Sequence, residues 1–294
     1  RIFLNEHDRV VVENPTYVGM MSSWKSYYPR FSAVPTDNDG MRVDELPAIL
    51  AEQHKIMYAI PTFQNPQGTT LSKERRAQLA QILVEHGLPF IEDDPYGELR
   101  YSGDPVPSVL QMEAEVRGAT NADGNVIYCG TFSKILTPGL RIGWVAAAFP
   151  VIDKLVQVKQ GADLHTSTLN QVITYEVARD EAFLAGHITH LREVYRQRRD
   201  LMLQTMDDCF PSEVTWTRPE GGLFLMVTLP PHLDATDILK QALVQNVAFV
   251  PGEGFFTGEM GKNTFRLNYS NSREERIVDG IRRLGAVLKE AVRG

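Results

Sequence analysis

Short apolar runs that alternate with helix-length periodic segments constrain this chain more than any other feature. That order leaves few architectures besides a sheet with helices packed against it. Residues 10–13 form a β-branched run closed by the turn-prone Asn14-Pro15, and residues 55–60 form an apolar run stopped by Pro61. Between that run and the next, Ser72 is placed to cap a helix with Glu74 in its first turn, and Gly87 to end it. Leu79, Ile82 and Leu83 give this helix an inward stripe. Residues 88–91 read as the next strand, followed by the acids Glu92, Asp93 and Asp94. Residues 126–129 and 142–148 add two more, with a Gly- and Pro-containing turn between them. The expectation is an α/β sheet with helices on both faces, whose functional groups gather at the carboxyl ends of strands. Asn65, Asp93 and Lys134 each follow a strand closely.

From about Leu184 the texture changes. A long charged helix with Arg192, Arg196, Arg198 and Arg199 runs toward Pro211, and its arginines read as a solvated face. A strand-like stretch over 223–229, a helix over 235–245, strands near Ala248 and Phe265 and a last helix from Arg273 complete a smaller α+β unit. The division expected is a large domain over residues 1–185 and a small C-terminal domain over 186–294.

Composition narrows the function classes. The chain has 294 residues, enough for one large and one smaller domain. No uninterrupted apolar run approaches the ~20 residues of a membrane span. A net charge of −7 argues against a nucleic-acid partner, short of a DNA-binding domain preceding Arg1. Cys129 and Cys209 stand far apart and outside any metal-binding spacing, which predicts free thiols in a reducing, cytoplasmic setting. The seven histidines form no His-Glu-x-x-His cluster, so no metal site is expected.

The chemistry concentrates in Gly130-Thr131-Phe132-Ser133-Lys134, followed by Pro138-Gly139-Leu140-Arg141. Two hydroxyls and an arginine around a lysine suit an anionic ligand attached through the amine. Taken alone, a Ser-Lys pair in a loop is ordinary solvated surface. Three further strings accompany it: Asn65-Pro66-Gln67-Gly68, Asp93-Asp94-Pro95-Tyr96 and Phe265-Arg266-Leu267-Asn268.

In this order the four strings resemble those of the fold-type I pyridoxal-phosphate aminotransferases (class I/II), above all the branch with 2-aminoadipate and kynurenine aminotransferases. The resemblance implies an aspartate-aminotransferase-like large domain, with a mixed, mostly parallel sheet, and a smaller C-terminal α+β domain. It implies pyridoxal 5′-phosphate carried by Lys134 as a Schiff base, and transfer of an amino group from an amino acid to a 2-oxo acid. The lysine, displaced by the incoming amino acid, then serves as general base. Asp93 would hold the ring nitrogen protonated; Asp94 competes for that role, and the step to Tyr96 favours Asp93. Tyr96 and Asn65 would bond the ring's phenolic oxygen, with Asn65 also on the substrate side. Thr131, Ser133 and Arg141 would bind the phosphate. Tyr17, in Glu13-Asn14-Pro15-Thr16-Tyr17, resembles the aromatic that stacks on the ring, with core packing as the alternative. Arg266 would grip the substrate carboxylate in a two-pronged contact.

The resemblance also implies a homodimer with its site at the subunit interface, and an N-terminal segment with a phosphate-binding loop that has no counterpart in this sequence. Two other readings stay open: the effector body of a winged-helix transcriptional regulator, and a different reaction on the same scaffold, such as a β-lyase or decarboxylase.

Overall fold

The computed structural model describes residues 2–293. The first part of the chain runs β1 (Arg9–Asn14), α1 (Val18–Trp24), β2 (Arg30–Asp37), β3 (Gly40–Met41), α2 (Leu46–Ile49), β4 (Ile56–Ala59) and α3 (Lys73–His86). It continues through β5 (Phe90–Asp94), α4 (Val109–Val116), β6 (Val126–Thr131), β7 (Gly143–Ala146), α5 (Phe149–Asp163) and α6 (Thr168–Ala178). These strands form one seven-stranded sheet in the order β3-β2-β1-β4-β5-β6-β7. The five from β2 to β6 are mutually parallel, and the two edge strands run antiparallel.

That arrangement follows from local chemistry. Val10, Val11, Val12 and all four residues of β4 are buried, as expected of parallel strands covered on both faces. The Ser72 hydroxyl accepts from the Arg75 amide at 3.3 Å, capping α3. Gly87, at φ 59°, ends that helix in the left-handed conformation a side chain would disfavour, its N–H bonded to the Leu83 carbonyl. Leu79 and Leu83 face the core with Phe90 and Val126, while Ile82 is only half-buried.

Two sequence expectations need correction here. The strand expected over 88–91 is β5 and runs on through the acids to Asp94, paired residue for residue with β6. Glu92 stabilises this extension: its carboxylate accepts from the Val109 and Leu110 amides at 2.9 Å each, at the start of α4. The strands β2 and β3 were not anticipated, because Arg30–Asp37 is half-exposed, polar at alternate positions and contains Pro35.

The second part comprises α7 (Glu181–Cys209), β8 (Thr215–Trp216), β9 (Phe224–Thr228), α8 (Ala235–Val244), β10 (Val250–Pro251), β11 (Thr264–Asn268) and α9 (Glu274–Arg293). Its four strands make an antiparallel sheet in the order β10-β11-β9-β8. Ile277, Ile281, Leu284 and Leu288 form one buried stripe along α9, packed with Leu225, Val227 and Phe265. Residues 185 and 186 both lie inside α7, so the expected boundary falls within a continuous helix. The solvated-face expectation for its arginines fails at Arg199, which is buried. Its guanidinium donates to the Ser102 hydroxyl at 3.1 Å and the Pro219 carbonyl at 3.0 Å. Among the described residues, no helix is long and apolar enough to cross a membrane.

Candidate active site

Because β1, β4, β5 and β6 are parallel neighbours, their carboxyl ends open on the same edge of the sheet. Tyr17 follows β1, Asn65 follows β4, Asp93 lies at the end of β5 with Tyr96 beyond it, and Ser133 and Lys134 follow β6. The sequence places these residues far apart; the topology brings them to one edge.

Strand alternation separates the two neighbouring aspartates. Asp93 accepts a hydrogen bond from the Tyr58 hydroxyl at 2.6 Å, and no other donor reaches it among the described residues. Burial, aided by the charge of Asp94, raises its pKa even though the Tyr58 bond works the other way. Asp94 is committed elsewhere. It accepts from the Tyr128 hydroxyl at 2.6 Å and, through its other oxygen, from the Gly97 amide at 2.7 Å. This turn carries Tyr96, which is buried with its ring edge-on to Phe224 at 6.0 Å. Burial, then Asp93, pushes the Tyr96 phenol above its usual range.

The loop after β4 meets the small sheet. Gly68 has φ 73°, and a Cβ there would stand 2.3 Å from the Phe224 carbonyl oxygen, so only glycine fits. The Thr217 hydroxyl donates to the Gln67 carbonyl at 2.6 Å across the same contact. Beside it, Arg266 of β11 donates from Nη1 to Asn65 Oδ1 at 2.7 Å. The guanidinium lies over Phe224, 4.1 Å from the ring centre, and 5.1 Å from that of Phe255. Its Nε is buried without a hydrogen-bond partner, and burial lowers its pKa.

Beyond β6, the Thr131 hydroxyl donates to the Ile142 carbonyl and accepts from the Ser133 amide, both at 3.1 Å. Its proton closes the loop in this arrangement. Arg141, held at φ 54°, turns back so that Nη1 donates to Ser133 Oγ at 3.4 Å and the Pro138 carbonyl at 3.1 Å. Half-burial, then the charge of Arg141, lowers the pKa of Lys134. No ion pair joins Lys134 to Asp93 among the described residues.

Tyr17 is 37% exposed. Its ring lies against Gly19, and its phenol is close enough to Tyr58, Tyr96 and Arg266 to bear on their titration. Thus Tyr17, Asn65, Asp93, Tyr96 and Arg266 form one cluster, and Ser133, Lys134 and Arg141 form a second on the adjoining strand end. The register Asp93↔Cys129 joins the two. Tyr58 was missed from the sequence. The available signal was a phenol inside a strand whose residues are all buried, where its hydroxyl needs a partner.

Comparison with known proteins follows the same lines. The family model for aminotransferase class I and II matches residues 1–284. An aromatic-amino-acid aminotransferase of Thermococcus litoralis is 44% identical over 299 residues, covering all of this chain and 70% of that protein. The α-aminoadipate aminotransferase of Thermus thermophilus, solved with N-(5′-phosphopyridoxyl)-L-leucine, superposes with a TM-score of 0.93 at 40% identity, covering 99% of this chain and 74% of that one. An HTH-type transcriptional regulator of Bacillus subtilis is 31% identical over 96% of this chain and 56% of its own length. On its sequence and its fold, the chain belongs to the class I and II aminotransferases.

Proposed function

We propose that this aminotransferase works with pyridoxal 5′-phosphate at the carboxyl ends of β5 and β6, where Lys134 binds the cofactor and moves the substrate proton. One observation carries the proposal. A buried carboxyl, Asp93, and a half-buried amine, Lys134, stand on adjoining strand ends without pairing with each other. The open groups fit the cofactor. Among the described residues, Asp93 keeps one carboxylate oxygen without a donor beside its single bond from Tyr58, which suits a basic ring nitrogen. Ser133 and Arg141 offer a hydroxyl and a guanidinium to a phosphate, and Tyr17 offers a ring with an accessible face. Tyr96 and Asn65 would hold the phenolic oxygen, and the Arg266 guanidinium would take a substrate carboxylate.

When bound, the cofactor supplies an electron-withdrawing ring that stabilises negative charge at the substrate α-carbon. Asp93 would pair with the ring nitrogen and favour its protonated form. Lys134 Nζ, its pKa lowered by burial, carries a larger neutral fraction at a given pH and so can accept the α-proton and return it. Arg266 and Asn65 would hold the substrate by its carboxylate, which restricts the orientations of its α-carbon.

The division into a cofactor-binding domain over 1–185 and a small domain over 186–294 is proposed along the line between the two sheets, each of which has a core of its own. A homodimer is proposed as well. What supports it is a run of exposed apolar side chains from edge strand β7 through α5, which buries no residue, to the start of α6: Trp144 is 47% exposed, Phe149 75%, and Leu164 and Leu169 68% each.

The test is product formation from an amino acid and a 2-oxo acid. The wild-type chain is expected to make a new amino acid and Lys134→Ala none; wild-type rates in that variant would overturn the assignment. The kinship with a transcriptional regulator supports a second reading, in which the chain takes up cofactor and amine but forms no new amino acid. Release of ammonia or carbon dioxide without an oxo-acid requirement would instead mark a lyase or decarboxylase.

A further inference from the structure

Two loops that carry site residues meet at one buried pair of side chains. The first leaves β1 at Asn14 and reaches Tyr17; the second leaves β4 at Ala59 and reaches Asn65. Between them lie Glu13, 3% exposed, and Gln64, 2% exposed. Glu13 Oε1 accepts from the Ile60 amide at 2.9 Å and from Gln64 Nε2 at 3.2 Å. The same Nε2 donates to the Pro15 carbonyl at 2.8 Å, and Gln64 Oε1 accepts from the Gln67 amide at 2.9 Å. The Gln64 amide thus spends its donors on Glu13 at the end of β1 and on Pro15 of the Tyr17 loop, and its acceptor on its own turn.

The pair does not explain itself as packing. A carboxyl this deep loses its hydration, and apolar residues of similar volume would fill the space without that penalty. What an apolar pair would not supply is direction: hydrogen bonds from one loop to fixed atoms of the other. The braced loop is tied onward to the arginine side of the site. Thr16 N donates to the Phe255 carbonyl at 2.8 Å, Thr257 N donates to Asn14 Oδ1 at 2.9 Å, and the Phe255 ring lies beside Arg266.

We propose that Glu13 and Gln64 are positioning residues, a carboxyl–amide brace that holds the Tyr17 loop and the Asn65–Arg266 pair at the separation the site requires. This rests on the cofactor reading above. It predicts that loss of the brace acts on binding geometry, since a displacement of about 1 Å at reacting groups is worth on the order of 10²-fold in rate. Burial pushes the Glu13 carboxyl up to about 8, so near neutrality it is protonated and glutamine is a close replacement that keeps the accepting oxygen.

The experiment compares wild type, Glu13→Gln, Glu13→Ala, Gln64→Met and the Glu13→Ala/Gln64→Met double variant. Each is titrated with pyridoxal 5′-phosphate by visible absorption, with circular dichroism of the bound cofactor at saturation and urea midpoints taken without cofactor. Expected is near-wild-type binding and ellipticity in Glu13→Gln, with binding weakened about tenfold or more and altered ellipticity per bound cofactor in Glu13→Ala and Gln64→Met. The double variant should be little worse than either single one, because the two groups act as a unit. Unchanged binding and ellipticity in folded Ala and Met variants would overturn the brace alone, as would a Glu13→Gln variant as impaired as Glu13→Ala. Unfolding of both Glu13→Ala and Gln64→Met would assign the pair to stability and overturn it too. A wild-type chain that takes up no cofactor would overturn the cofactor reading, and the brace with it.

Discussion

The hydroxyl of Tyr58 donates to Asp93 Oδ2 at 2.6 Å, from one buried parallel strand to the end of its neighbour. This bond is the one that favours the ionised carboxylate against burial and against Asp94, both of which raise the Asp93 pKa. It occupies Oδ2 and leaves the other carboxylate oxygen without a donor among the described residues, the oxygen proposed to meet the ring nitrogen. Tyr58→Phe keeps the ring that meets Trp24 edge-on at 6.0 Å and removes only the hydroxyl. A hydrogen bond to a charged group contributes about 1.5–3 kcal/mol. Cofactor affinity is therefore expected to fall about tenfold or more in Tyr58→Phe, measured by absorption titration. Unchanged affinity would mean that the phenol has no part in holding Asp93 ready.

Arg141 gives a second prediction, with its sign. Burial and then Arg141 lower the Lys134 pKa, so the amine becomes neutral at a lower pH than a free lysine. Replacing Arg141 with Met removes the second cause, and the Lys134 pKa must rise. The alkaline-favoured limb of the pH profile for cofactor capture is expected to move to higher pH, and phosphate binding to weaken. A profile that stays in place, or moves to lower pH, would contradict this account of the amine.

Arg266→Lys tests the carboxylate grip. Lysine keeps the charge, but it loses the planar fork and the face laid over Phe224. The expected result is a KM for the amino acid raised about tenfold or more, equivalent to about 1.4 kcal/mol, with a smaller change in kcat. A change confined to kcat would place Arg266 outside substrate binding.

Glu13 predicts a pH dependence of stability. Its folded-state pKa stands at about 8, against 4.5 ordinarily, so the folded protein holds a proton that the unfolded chain has released. The contribution is fully present below about 4.5 and is lost as pH rises through about 8. Wild type should therefore lose stability relative to Glu13→Gln between pH 5 and 8, with a slope of up to about 1.4 kcal/mol per pH unit. Urea unfolding at several pH values reads the difference; parallel curves would show that Glu13 does not hold its proton.

What the sequence could disclose follows from the range of each interaction. Ser72 and Gly87 announce the ends of α3 because caps are made by residues within a few positions of one another. The step to Tyr96 ranks Asp93 over Asp94 in the sequence, whereas their different partners, Tyr58 for the one and Tyr128 with Gly97 for the other, emerge only with β5 in place. Tyr58 and Glu13 stayed hidden because their partners are 35 and 47 positions away, across strands whose pairing no local pattern specifies. Arg199 misled for a related reason. A charged helix face reads as solvated until Ser102 and Pro219 arrive to meet its guanidinium.

The central claim is that Lys134 is the residue that binds the cofactor. Borohydride reduction of the chain mixed with pyridoxal 5′-phosphate, followed by peptide mass mapping, tests it directly. The account predicts one dominant covalent adduct, on the peptide containing Lys134, which disappears in Lys134→Ala and is not replaced at another lysine. An adduct spread over surface lysines, or one that persists in the Lys134→Ala variant, would contradict it.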